Sequence, residues 1–384
     1  MNGTLTPSIP PLSLYIHIPW CIQKCPYCDF NSHAVKEPLQ ESRYIDALLN
    51  DLRGELALLE TPRPIDSIFI GGGTPSLFSA SSLEYLLNGV QKYATLSDHA
   101  EITLEANPGT FESSKFADFH NIGINRLSIG IQSFNDRHLQ ALGRVHNAAE
   151  ALRAVEIAFR SGFDNINLDL MFGLPEQRQQ EVVEDVETAI GLAPTHISFY
   201  QLTLEPNTYF HKFPPPLPAD DDIFRAQKVC QQLLAEHGYH QYEVSAYAKQ
   251  GKKCRHNRNY WRFGDYLGIG AGAHGKISRS LPDNIIRTQK SKRPEHYLKQ
   301  IDISTRSIIT AEQLPLEFVM NHLRLSSGFH LDHYRAVTGL SAETLEPGLS
   351  SSVAAGLLLN EDGHYRCSDK GWDFLDSILE KFID

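Results

Sequence analysis

Between Leu14 and Ala248, short apolar runs alternate with segments of helical period, and that alternation confines the chain to repeated βα units around a parallel sheet. Seven runs read as strands: Leu14 to Ile18, Ser67 to Ile70, Glu101 to Ala106, Arg126 to Gln132, Asn165 to Met171, His196 to Leu202 and Tyr242 to Ala246. Between the first two, Tyr44, Leu48, Leu52, Leu56 and Leu59 recur at helical spacing, which assigns Arg53, Glu55 and Glu60 to the solvent side. Later helices are read from Leu152, Val155 and Phe159, from Val182, Val186 and Ile190, and from Phe224, Val229 and Leu233. Six or seven such units with right-handed crossovers curl into a full or partial barrel, or form a doubly wound sheet. Periodicity does not choose between them. The polar residues discussed below fall at C-terminal strand ends, where barrel sites belong, so the expectation is an α/β partial (β/α) barrel.

The remainder divides by composition. Residues 1–13 are a Pro-, Ser- and Thr-rich leader, 14–248 the barrel, 249–295 a motif-bearing segment and linker, and 296–384 a small C-terminal domain. The proline tract Phe213 to Pro218 lacks N–H donors and reads as a stiff surface connection. After Gly275, Ser, Arg, Lys and Pro dominate, which gives a loop or linker up to about Glu295. Helices are expected around Leu316 to Leu325, Leu331 to Thr338 and Ser350 to Leu358, with a turn at Glu361 to Gly363 and Ser368 capping a last helix. This mostly helical set with a short β wing is winged-helix-like.

With 41% hydrophobic and 21% charged residues the chain has a globular balance. Its net charge of −11 gives no electrostatic footprint for a nucleic acid partner. No stretch approaches the roughly 20 apolar residues that cross a bilayer, which leaves peripheral membrane association open. The leader has neither a basic flank nor an apolar core, so the expected address is the cytoplasm.

Six cysteines are too few for a disulfide scaffold in a chain of this length, and three lie within eight positions: Cys21, Cys25 and Cys28, spaced C-x3-C-x2-C after the first strand. Three thiolates on a four-iron cluster leave one iron open to an outside ligand. A closed zinc site requires a fourth donor, for which His33 and Cys254 are the alternatives. Cys230 and Cys367 read as buried free thiols. After the second strand, Gly71-Gly72-Gly73-Thr74-Pro75 lets backbone come close to a small molecule. Glu105, Gln132 and Asp169 would be costly as plain core, whereas an ammonium or a ribose diol would pair them; Arg144 can clamp a carboxylate.

On these residues the sequence resembles the radical SAM family, with Tyr27 as the aromatic before the last motif cysteine. The resemblance implies a [4Fe-4S] cluster on Cys21, Cys25 and Cys28, whose open iron chelates the amino and carboxylate groups of S-adenosylmethionine (SAM). It also implies SAM contacts from Tyr15, Tyr27, Gly72, Gly73, Thr74, Glu105, Gln132, Arg144 and Asp169. Within the porphyrin-related branch the chain is similar to two groups, the oxygen-independent coproporphyrinogen III dehydrogenases and the HemW-type haem chaperones. The dehydrogenase loop continues as C-x3-C-x2-C-x-C, but Phe30 stands at that further position, and only a short leader precedes Tyr15. His256-Asn257-Arg258-Asn259-Tyr260-Trp261 resembles the chaperone group as well. The motif offers His256 as a candidate haem ligand, with His274, Cys254 and His33 weaker, and Arg255, Arg258 and Arg262 for propionates. The expectation is a haem chaperone that delivers haem to an acceptor protein, with no catalytic residue named. Alternatives are a decarboxylating enzyme and a SAM-binding scaffold.

Overall fold

The structure is a computed structural model that describes residues 9–279, 285–300 and 303–383; residues 1–8 of the expected leader lie outside them. Six strands follow one another in chain order and in space: β1 (Leu12–Ile18), β2 (Ile65–Gly72), β3 (Leu96–Ala106), β4 (Arg126–Gln132), β5 (Ile166–Phe172) and β6 (His196–Gln201). All pair in parallel, because each crossover carries helix, principally α1 (Glu41–Leu56), α2 (Ala80–Tyr93), α3 (Ala148–Arg160) and α4 (Gln179–Gly191). The expected partial barrel is therefore present. Its strands bury Leu14, Ile16, Ile68, Ile70, Leu104, Leu127, Ile129, Leu168 and Ile197 in one core with Leu48, Leu52 and Val186 of the helices.

Four sequence expectations need correction. The run Tyr242 to Ala246 is not a seventh parallel strand: after α5 (Asp220–Glu236) it splits into a hairpin, β7 (His240–Glu243) and β8 (Ala246–Ala248), antiparallel to β6. Ser245 turns back there, its N–H and hydroxyl both donating to Glu243 Oε2. The linker read after Gly275 contains strands instead. Beyond α6 (Arg255–Trp261), β9 (Asp265–Ile269) lies parallel against β1, and β10 (His274–Ser278), β11 (Ile285–Lys290) and β12 (Ser304–Ile309) extend the sheet antiparallel. Glu55 does not face solvent; it is 1% exposed and bonded to Lys290 at 2.7 Å. Finally, two helices bury other faces than expected: α5 buries Ile223, Ala226, Cys230 and Leu234 and exposes Phe224 and Val229, and α3 buries Ala151, Ala154, Val155 and Ala158 and exposes Leu152 and Phe159.

Buried ion pairs fasten the extra strands. Lys290 Nζ reaches Asp51 (2.6 Å) and Glu55 (2.7 Å) on α1, and Thr288 donates to Glu55. Lys276 Nζ meets Asp265 at 3.0 Å, and Arg63 closes the other side of Asp265. A second apolar core joins Phe263, Ile285 and Ile309 to α7 (Leu314–His322), α8 (Leu331–Thr338), α9 (Gly348–Ala354) and a three-stranded sheet. Those strands are β13 (Phe329–His330), β14 (Leu358–Glu361) and β15 (His364–Cys367), in the order β13-β15-β14. The β14–β15 hairpin is the expected wing, and Ser368 caps the next helix by accepting from Gly371 N–H.

Candidate functional site

The C-terminal ends of β1 to β6 surround a cleft open to solvent, where barrel sites belong. Its lining includes Cys21, Cys25, Cys28, Tyr27, Gly72, Gly73, Thr74, Glu105, Gln132, Arg144 and Asp169, so eleven of the thirteen expected site residues converge. Tyr15 and His256 are not among the lining residues. Phe30 stands at the cleft mouth, 61% exposed.

The loop after β1 brings the thiols together. Its base is pinned by two backbone bonds, Gly73 N–H to Ile18 C=O (2.8 Å) and Thr74 N–H to Trp20 C=O (2.7 Å). A Cβ on Gly73 would lie 2.5 Å from Trp20 O, and Gly72 has φ +111, so both positions demand glycine. Burial raises the thiol pKa of Cys21 and of Cys28; hydrogen bonds from Thr74 and Ser32 at Cys21, and from Ser32 at Cys28, oppose the rise. Among the described residues no three His, Cys, Asp or Glu side chains converge on a single metal ion. A cluster ligates each thiolate through a different iron and does not require that convergence. The alternative zinc donors are elsewhere: His33 pairs on a short strand with Trp20, and Cys254 is fully buried beside Glu101.

Opposite the thiols, the Glu105 carboxylate accepts from Gly72 N–H at 3.0 Å. Burial, and secondarily Asp169, pushes its pKa up to about 7. Burial also raises Asp169, which accepts from Asn167 (2.8 Å) and Ser128 (3.2 Å). Two carboxyls whose charge burial disfavours are suited to a cation or a diol. Gln132 ends β4 at φ +70, a conformation a non-glycine residue adopts only under constraint, and accepts from Tyr200 Oη at 2.7 Å. Arg144 donates to Asn107 Oδ1 (2.7 Å) and Gly130 O (2.8 Å), with Cys25 Sγ 3.7 Å away. Asn107 in turn donates to Thr74 Oγ1 at 2.9 Å. Asn107, Ser128 and Tyr200 line the cleft but were not picked out of the sequence. Only the position of Asn107, just past the end of β3, signals a site role.

Tyr15 lies under the cleft floor, its hydroxyl 2.9 Å from His17 Nδ1. His256 is at the other end of the barrel. The helix α6 closes the N-terminal strand ends: Glu101 accepts from the backbone N–H groups of Arg255 (2.8 Å) and His256 (3.2 Å), and Asn259 donates to Ser13 (2.9 Å). The His256 ring packs on Phe69 and Tyr15, with Nδ1 3.2 Å from Ser67 Oγ. Burial, with Arg126 beneath it, holds His256 at a pKa of about 3, so the ring is neutral. His274 is exposed at the start of β10.

Comparison with known proteins matches the radical SAM superfamily over residues 15–189 and the HemN C-terminal domain over residues 309–374. The protein named Heme chaperone HemW of Escherichia coli K12 is 47% identical over 98% of this chain and 99% of its own length. The Haemophilus influenzae protein of that name is 48% identical over the same shares. The chain belongs to the HemW family of radical SAM proteins. The Bacillus subtilis HemW is 34% identical over 94% of this chain and 96% of its own. The solved structure of E. coli coproporphyrinogen III oxidase (HemN) superposes with a TM-score of 0.82, covering 97% of this chain and 90% of that one. At 22% identity it supports the fold that HemW proteins share. Superfamily membership implies SAM and a [4Fe-4S] cluster, and the donors fit: three thiols, a glycine cradle, two raised acids and a guanidinium line one cleft. Among the described residues no helix is long and apolar enough to cross a membrane.

Proposed function

We propose that this protein is a haem chaperone: it binds haem, holds a [4Fe-4S] cluster on Cys21, Cys25 and Cys28 with SAM in the cleft, and passes haem to an acceptor protein in the cytoplasm. Full-length identity of 47% to a protein named Heme chaperone HemW carries the reading. Phe30, at the cleft mouth where the dehydrogenase pattern has a cysteine, agrees with it.

In the cleft, Gly72 and Gly73 would admit the methionine end of SAM against the backbone, with Glu105 taking the ammonium and Arg144 the carboxylate. Asp169 and Gln132, which line the cleft, would bond the ribose hydroxyls, Tyr27 would wall the thiol side, and Tyr15 would support the floor through His17. When bound, the cluster supplies one electron at a time to the sulfonium. Arg144, fixed by Asn107 and Gly130, holds positive charge beside Cys25. His256 is the candidate for haem iron; taking that role requires α6 to release it from Ser67.

Anaerobically reconstituted protein should bind about one equivalent of haem at micromolar concentration, read by the Soret band. No binding there would reject the reading. Incubation with SAM, a reductant and coproporphyrinogen III should give no decarboxylated product; its appearance would assign the enzyme reading instead.

A further inference from the structure

A buried relay of hydrogen bonds runs from the backbone at the start of α6 to the carboxyl of Asp169 in the cleft. At the cleft end, Asp169 accepts from Asn167 Nδ2 at 2.8 Å and from Ser128 Oγ at 3.2 Å. Asn167 Nδ2 also donates to Ser128 Oγ (2.8 Å), and Asn167 Oδ1 accepts from His196 Nδ1 (2.6 Å) and Ser198 Oγ (3.1 Å), so every bonding position of the amide is filled. Asn167 and His196 are register partners on β5 and β6. The other ring nitrogen, His196 Nε2, lies 2.8 Å from Tyr242 Oη on β7, and that oxygen accepts from the N–H of Cys254, the residue that caps α6, at 3.2 Å. Asn167, His196, Tyr242 and Cys254 are each at most 3% exposed, so bulk water does not compete for these bonds.

The position of each proton follows from the base upward. The Cys254 N–H can only donate, and among the described residues Tyr242 Oη has no acceptor in reach except His196 Nε2, so the phenol proton goes there. Burial, and secondarily Arg126, holds the His196 pKa well below its ordinary value, so the neutral ring carries its one proton on Nδ1. That proton faces Asn167 Oδ1, which leaves Nδ2 to donate to Asp169. With the other tautomer, the Nδ1 lone pair would oppose Oδ1 at 2.6 Å; with a flipped amide, Oδ1 would oppose the Asp169 oxygen at 2.8 Å.

We propose that His196 and Tyr242 are positioning residues of the cleft: through Asn167 they present Asp169 as a hydrogen-bond acceptor for the vicinal hydroxyls of a ribose. This role rests on the SAM reading of the cleft and extends it to two side chains that do not line it. Asn167 and Ser128 occupy two of the acceptor positions of the carboxylate and leave the others for ligand hydroxyls. The same two donors favour the charged form of Asp169 against the burial that raises its pKa.

The test begins with iron-free, full-length protein carrying isotope-labelled histidine. The ring resonances that vanish in His196→Asn should report the Nδ1–H tautomer at neutral pH; an Nε2–H ring or an imidazolium overturns the relay. After anaerobic reconstitution, SAM is compared with its analogue lacking both ribose hydroxyls. The wild type should prefer SAM, and Tyr242→Phe, which keeps the ring and removes only the hydroxyl, should cut that preference by about threefold to tenfold, the worth of one hydrogen bond. His196→Leu should cut it at least as far, whereas His196→Asn, whose amide N–H can replace Nδ1–H, should recover most of it. Equal weakening of both ligands marks a merely structural role and overturns the proposal, as does an unchanged preference in Tyr242→Phe and His196→Leu. Failure of the wild type to bind SAM removes the SAM reading; the tautomer, measured without iron, then decides the relay by itself.

Discussion

Glu105 gives the most direct test of the cleft. Its carboxyl stands at about 7 rather than the ordinary 4.5 because burial removes water and Asp169 lies nearby, with only Gly72 N–H and Arg126 in opposition. In the empty cleft the group therefore keeps its proton across the range between those values. A bound ammonium restores the charged form, so binding expels a proton below about pH 7 and affinity climbs as pH rises to that point, then levels. At about 1.4 kcal/mol per unit, full restoration is worth about 3 kcal/mol, or roughly two orders of magnitude in affinity between mildly acid and neutral pH. The same shift affects stability: the ligand-free fold gains from the raised pKa below the ordinary value and loses that gain as pH rises through about 7. SAM binding to reconstituted protein, measured calorimetrically in buffers of different ionisation enthalpy between about pH 5.5 and pH 7.5, counts the proton directly. Glu105→Gln, which cannot titrate, should bind more weakly and without that proton release. A pH-independent affinity with no released proton in the wild type would refute the argument that Glu105 faces the cation.

Replacing Cys21, Cys25 and Cys28 by Ala together should abolish bound iron and acid-labile sulfide, measured on oxygen-protected protein, and leave far-ultraviolet circular dichroism intact. Gly73→Ala should destabilise the fold by about 1–3 kcal/mol in urea, since its Cβ would enter the Trp20 backbone and break the seat of the cysteine loop. Lys290→Met should cost about 3–5 kcal/mol by stranding Asp51 and Glu55, and the loss should shrink at acid pH where those carboxylates can protonate.

The parallel strands were legible in sequence because apolar residues recur at every second position between turn-forming segments, as in Arg126 to Gln132 and Asn165 to Met171, where Leu127, Ile129, Ile131, Ile166, Leu168 and Leu170 enter the core. The last of the seven misled because a run of β-formers carries no sign of its partner's direction, and the Val244-Ser245 turn lacks glycine. Strands β10 and β11 were illegible for the opposite reason. Lys276 and Lys290 are buried, at 2% and 3% exposure, but their neutralising partners are residues from other parts of the chain. A local window sees only a polar stretch. Strand β9 hid behind Gly268, where a Cβ would strike His274 O, so a close strand contact read as a flexible glycine segment. In the cleft, charge and motif made the acids and thiols stand out, whereas Asn107 and Tyr200 owe their places to tertiary geometry.

The helix that stoppers the barrel has a consequence for how the chain is made. Its Ser67 contact reaches back across 189 residues, and β9, which flanks β1, is synthesised later still. A nascent chain ending near residue 248 has all six sequential strands but leaves Glu101, Ser13 and Ser67 open at an unsealed base. Completion of the interior thus waits for the second half of translation, and a fragment cut at that point is expected to be a poor substitute for the whole.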